Sequence, residues 1–269
     1  MILKQCLNQG HVALLFFVVL ATTGCGSTTY YRATSEDTRD LSPTQARKLL
    51  IKSAQTDGWC RDPRTINVTH EKVEVTCAQG TVNKRSFLFS EIPAPVFVFK
   101  SVLGGLGEVS STCVKASGDE DNCMFFWGGG RPSAEARDLV KAWYVLARAA
   151  AAYPAQEAAF ERAAQSYREA KVKPPLPENA VKFKVQAELA VQQKRFDDAA
   201  DSYDPALGIA PWWPPGHYNR GLILGEIEDY QGGIRALQKY LTLEPDAANA
   251  RAVQLKIYQW ESLLPQAAK

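Results

Sequence analysis

Six cysteines and three histidines are the residues through which this sequence offers chemistry, and their spacing narrows what that chemistry is. Cys60, Cys77, Cys113 and Cys123 all lie in the first half. Cys113 and Cys123 flank a polar stretch, VKASGDEDN, with the character of a hairpin tip, and Cys60 and Cys77 flank another short excursion. Four cysteines permit three pairings, of which the two local ones, Cys60–Cys77 and Cys113–Cys123, are favoured. The close CxxC pairs of a structural zinc site are absent, and His11, His70 and His217 are too few for a His-rich metal centre. His70-Glu71 lacks the second His of a zinc-protease helix. His217 has no acid or nucleophile beside it in sequence. Gly104-Gly105-Leu106-Gly107 lacks the Lys-Ser/Thr of a phosphate loop. No catalytic residue, metal or cofactor is therefore expected. A small hydrolase built on His70 and a nearby acid is the weakest reading kept open.

Cys25 stands apart from that set. Before it, Lys4 is the only Lys or Arg and there is no acid. The apolar run Val12 to Ala21 (VALLFFVVLA) spans roughly 15 Å as a helix, about half a bilayer core. It reads as the apolar part of a cleaved signal and not as a permanent span. Thr22-Thr23-Gly24-Cys25 then places small residues directly before a Cys. This arrangement resembles the bacterial lipobox, although Thr22 stands where that family usually has Leu. The resemblance implies a signal peptide over residues 1–24, a diacylglycerol on the Cys25 sulfur and a further acyl chain on its amine. Each buried methylene contributes about 0.8 kcal/mol, so several chains together anchor stably. Gly26 is not the Asp that commonly retains such proteins in the inner membrane. The implied location is the bacterial envelope, lipid-anchored in the outer membrane and facing the periplasm, where disulfides persist. Residues 25–41, polar and without apolar periodicity, read as a flexible tether.

With residues 1–24 removed, 30 basic and 29 acidic residues remain. That balance gives no bulk attraction to nucleic acid, so no nucleic-acid partner is expected. The remaining length allows one large domain or two small ones.

The elements that must position these residues divide into two kinds. In the first half, Ser42-Pro43 is a helix start, with Ser at the cap and Pro at the first turn. Ala46, Leu49, Leu50 and Ala54 follow at helical spacing. From residue 66 the period changes to two: Ile66, Val68 and then Val73, Val75, Cys77 predict a hairpin. Strands are predicted over 86–92, 96–100, 109–115 and 123–127. A helix from Ser133 carries Ala136, Leu139, Val140, Trp143, Leu146 and Ala147 on one face. An α+β domain over 42–152 is expected. Its element order over roughly 65–150 resembles the bacterial pleckstrin-homology-like domains, in which the C-terminal helix plugs a bent sheet, and Trp143 takes the plug position. Inositol-lipid binding is not carried over, because Lys84-Arg85 is the only nearby basic cluster.

The second half repeats with a period of 34 residues. Phe196 and Tyr230, Ala187 and Gly221, Tyr203 and Leu237, and Pro211 and Pro245 are related by it. The stretches KRFDDAADSYDPALGIAP and EDYQGGIRALQKYLTLEP align without a gap. The pattern resembles the tetratricopeptide repeat and implies an all-α helical repeat domain over 153–269. Two full repeats, 180–213 and 214–247, lie between capping helices around 156–170 and 248–264, the latter packing through Leu255, Tyr258 and Leu263. Pro205 is expected to kink the second helix of the first repeat. The resemblance places Val181, Lys184, Glu188, Val191, Pro215, Tyr218, Leu222 and Gly225 on the first helix of each pair, facing a groove. Glu188 stands where the family's carboxylate clamp has Asn, so such a clamp is not implied. Lys184, Glu188, Tyr218 and Leu222, with Trp212 and Trp213 at the repeat junction, are the candidate partner contacts. Lys184 and Glu188 are also spaced to pair with each other, and the two Trp to form a lid over the junction. The expected function is a lipid-anchored envelope adaptor binding a protein partner through its repeats. The alternative is a lipoprotein that binds a lipid or glycan in the mouth of its first-domain sheet.

Overall fold

The computed structural model describes residues 26–56, 58, 61–79, 84–104, 107–116, 123–128 and 133–264. Two antiparallel sheets come first. Strands β2 (Arg61–Val68), β3 (Lys72–Gln79) and β4 (Lys84–Leu88) form one in the order β2-β3-β4. Strands β1 (Gly26–Tyr31), β5 (Val96–Gly104), β6 (Gly107–Lys115) and β7 (Cys123–Gly128) form the other in the order β1-β5-β6-β7. Helix α1 (Pro43–Ala54) lies between β1 and β2. Its start is a full capping box: the Ser42 side chain accepts from the Gln45 amide and the Gln45 side chain accepts from the Ser42 amide.

Residues 26–31 correct one expectation. They are not tether but the edge strand β1, paired along its whole length with β5 from Gly26↔Val102 to Tyr31↔Phe97. The run STTYY is rich in the β-branched and aromatic types that fit a pleated surface, and Tyr31 packs edge-on to Phe97 at 6.4 Å. Beyond it Thr34 and Asp37 close a turn, Thr34 donating both its amide and its hydroxyl to the Asp37 carboxylate.

Helix α2 (Ala134–Glu169) closes this half. Trp143 is fully buried, donates its indole N–H to the Ile92 carbonyl at 2.6 Å, and packs on Phe87 and Phe89. The boundary expected near residue 152 falls inside α2, which runs 36 residues straight through Pro154. Its second part belongs to the helical half, where Phe160, Ala164 and Tyr167 pack on Leu243 and Trp212.

Five further helices follow: α3 (Glu178–Gln192), α4 (Phe196–Ile209), α5 (Pro214–Glu226), α6 (Tyr230–Leu243) and α7 (Ala250–Leu263). The 34-residue period reaches the backbone. Lys194 and Glu228 both take positive φ, at 58° and 60°. The Lys194 and Arg195 amides donate to the carbonyls of Val191 and Ala190, and the Glu228 and Asp229 amides donate to those of Gly225 and Leu224. Each pair of hydrogen bonds is the arrangement that ends a helix in a left-handed residue. Helix α4 continues through Pro205 to Ile209. The closing helix α7 is rotated from the expectation: Val253, Ile257 and Trp260 are buried, whereas Leu255, Tyr258 and Leu263 are exposed.

Candidate functional site

The α/β half meets the helical array on α4 and α6, the second helices of the two pairs. Two adjacent cations of α1 make part of that junction. Lys48 pairs with Asp197 at 2.6 Å in the first turn of α4, and Arg47 lies 3.6 Å from Asp229, the N-cap of α6. Both carboxylates sit where a helix N-terminus favours negative charge.

Between the halves the junction leaves a cavity of about 520 Å³. That volume lies within the usual range for small-molecule sites. Its aromatic wall is Tyr153 and Phe160 of α2, with His70 from the β2–β3 turn 4.3 Å from the Tyr153 ring and His217 of α5 5.3 Å from Phe160. Its charged wall holds Arg47, Arg220, Arg235 and Lys239. Three of these cations have acidic partners: Arg47 has Asp229, Arg220 has Asp204 at 2.6 Å, and Lys239 has Glu157. Among the described residues, no carboxylate lies within ion-pairing distance of Arg235. The Asp229 carboxylate is further committed to the Gly232 amide at 3.1 Å.

Burial dominates the titration of this site. It holds His217 at about 4, against the partial compensation of the ring Nε2 contact with the Pro211 carbonyl at 2.7 Å. Burial and then the Arg235 guanidinium lower His70, whose Nδ1 is buried without a hydrogen-bond partner. Burial also pulls Arg235 down. For Arg220 the same burial is outweighed by the Asp204 carboxylate, with Asp229 and Asp201 behind it, and its pKa rises. His70 and His217 are thus neutral at neutral pH, and the arginines and Lys239 carry the positive charge.

The residues singled out in the sequence are distributed differently. Lys184 and Glu188 pair with each other at 2.7 Å on α3. Tyr218 and Leu222 are half-buried against the cluster that includes Leu237, Tyr240 and Ile257, with the Tyr218 and Tyr240 rings 5.1 Å apart. Gly225, placed on the groove by the repeat pattern, lies instead under the Trp260 ring. Trp213 is buried in the α4–α5 core, and Trp212 stacks on Tyr167 at 6.3 Å and 10°. Each Trp therefore has a packing role inside the chain. Cys113 and Cys123 are joined by a disulfide. Cys77 is disulfide-bonded too, and its expected partner Cys60 lies outside the described residues, as do Cys25 and the signal.

No group of three or more metal-ligating side chains occurs among the described residues. No family model, curated protein or solved structure matches the chain. The cavity itself was not foreseen. Its walls come from α1, the β2–β3 turn, α2, α4, α5 and α6, and no local spacing announces residues so far apart in sequence. The one available signal was that His217 had no acid or nucleophile partner nearby in sequence.

Proposed function

We propose that this chain is a lipid-anchored, non-enzymatic adaptor of the bacterial envelope. In this reading its α/β half is pleckstrin-homology-like and its helical half is a short tetratricopeptide array that binds a protein partner. One observation carries the adaptor role. The α/β half contacts α4 through α1 and the N-cap of α6 through Arg47, and α5 turns His217 and Arg220 to the cavity between the halves, so α3 is the first helix left for another molecule. Val185 and Leu189 of α3 are 54% and 48% exposed, one helical turn apart, beside the Lys184–Glu188 pair. Leu255 and Tyr258 of α7 are each 58% exposed at the other end of the array. Apolar side chains grouped on an outer helix face, with a polar rim, are the usual makings of an interface.

Anchoring follows from Cys25. Because β1 begins at Gly26, a lipid on Cys25 would hold the four-stranded sheet against the bilayer with no spacer between. The folded body then rides at the membrane surface and does not sample a wide volume. Cys25→Ser should move the protein from the membrane to the soluble fraction or stall its processing. Retention on the membrane at an unchanged mass would contradict the anchor. Val185→Glu with Leu189→Glu should keep the helical circular dichroism and lose the protein that co-purifies with wild type from detergent-solubilised envelope. Equal recovery with the variant would remove α3 from the interface.

A further inference from the structure

We infer that the cavity between the two halves binds a small molecule carrying an oxyanion, a carboxylate or a phosphate, on a flat apolar body. The inference is independent of the adaptor reading, because it rests on the cavity alone.

The charge pattern is the first support. Arg47, Arg220 and Lys239 each pair with a carboxylate, whereas among the described residues Arg235 has none within ion-pairing distance, and Asp229 and Glu157 act on it only from further away. A guanidinium has five N–H donors in a planar fork suited to the two oxygens of a carboxylate or phosphate. Taking it out of water without a partner is unfavourable, and a chain gains nothing from such a group unless something else completes it. His70 lines the same cavity with its Nδ1 buried and without a hydrogen-bond partner, while its Nε2 lies 3.6 Å from Glu71. The aromatic wall is the second support. Tyr153 and Phe160 line the cavity across from α6, and Lys239 lies over both rings, 5.8 Å from one centroid and 4.9 Å from the other. A flat apolar body on that wall leaves its oxyanion to Arg235. Gly208 also lines the cavity, and an added Cβ there meets nothing within 4 Å.

Titration calorimetry of the full-length chain in detergent tests this with phenyl phosphate, benzoate and inorganic phosphate. At least one of the two organic anions should bind saturably, one per chain, and more tightly than inorganic phosphate. Arg235→Gln should weaken it by about tenfold or more, since a charge-assisted hydrogen bond is lost. Gly208→Leu should weaken it by narrowing the cavity while the fold holds. The ligand-free Arg235→Gln protein should melt no lower than wild type, because the variant removes a desolvated charge. No saturable heat with either organic anion, or wild-type affinity in Arg235→Gln, would overturn the proposal. So would a lowered melting temperature in Arg235→Gln together with no binding by wild type, which would make Arg235 a packing residue. Equal affinity for inorganic phosphate would remove the aromatic wall from the site.

Discussion

Gly225→Ala adds one methyl group where the array has no room for it. A Cβ there would lie 2.2 Å from Cζ2 of Trp260, 2.6 Å from Cη2 and 3.0 Å from Cε2. The indole is 7% exposed. Its other edge is closed by Gly233, whose own Cβ would stand 2.8 Å from Cζ3. The ring therefore cannot slide away from α5 without meeting α6, and an ordinary contact requires it to move by more than 1 Å. Overpacking of this kind costs about 1–3 kcal/mol. Replacing Gly in a helix recovers about 1 kcal/mol of propensity; with three ring atoms at 3.0 Å or less the overpacking lies at the upper end of its range, so the net loss should be up to about 2 kcal/mol. Gly208→Ala is the internal control. It has the same propensity gain and open space around the new methyl, and should stabilise by up to about 1 kcal/mol. Urea denaturation of both variants, followed by helical circular dichroism, gives the two midpoints. If Gly225→Ala unfolds at or above the wild-type midpoint, α7 does not pack on α5 through Trp260 as described.

Three further outcomes follow from the same packing. His217 is held neutral at about 4, so its protonation favours the unfolded chain. Stability should fall as pH drops below about 6.5, by up to about 3 kcal/mol at pH 4. His217→Gln should flatten that slope, and an unchanged acid limb in the variant would assign it to other groups. Cutting the Cys113–Cys123 disulfide with paired Ser substitutions should cost about 3 kcal/mol in denaturant, on the chain-entropy argument for a loop of this length. Unchanged stability would show the hairpin ordered without it. Tyr218→Ala with Leu222→Ser should lower the unfolding free energy of the helical half by about 2–4 kcal/mol, because both side chains pack on the cluster around Leu237 and Ile257. A variant as stable as wild type would return these residues to a free surface.

What was legible in the sequence was what one element can express alone. Ser42-Pro43 announced α1, and the 34-residue spacing announced both helix pairs; that Lys194 and Glu228, also 34 apart, take the same left-handed conformation was not read from it. The burial of Trp143 was legible because the helix face around it is apolar without a break. Failures arose where a partner far away in sequence decides. Residues 26–31 carry no apolar alternation, and only their pairing with β5 makes them a strand. The face of α7 was misread because Leu255, Tyr258 and Leu263 are as apolar as Val253, Ile257 and Trp260. The choice between the two faces is made by Gly225 and Gly233, which together leave a slot for an indole. The boundary expected at residue 152 falls inside α2, so the two halves share one helix and the cavity forms along it.

Photo-cross-linking in intact cells tests the adaptor role most directly. A photoreactive residue in place of Leu189, on the free side of α3, should give one discrete adduct with a second protein. The same residue at Gln238, exposed on α6, should give none. Adducts of equal yield from both positions, or none from Leu189, Leu255 and Tyr258 alike, would contradict the claim that this chain presents the exposed faces of α3 and α7 to a protein partner.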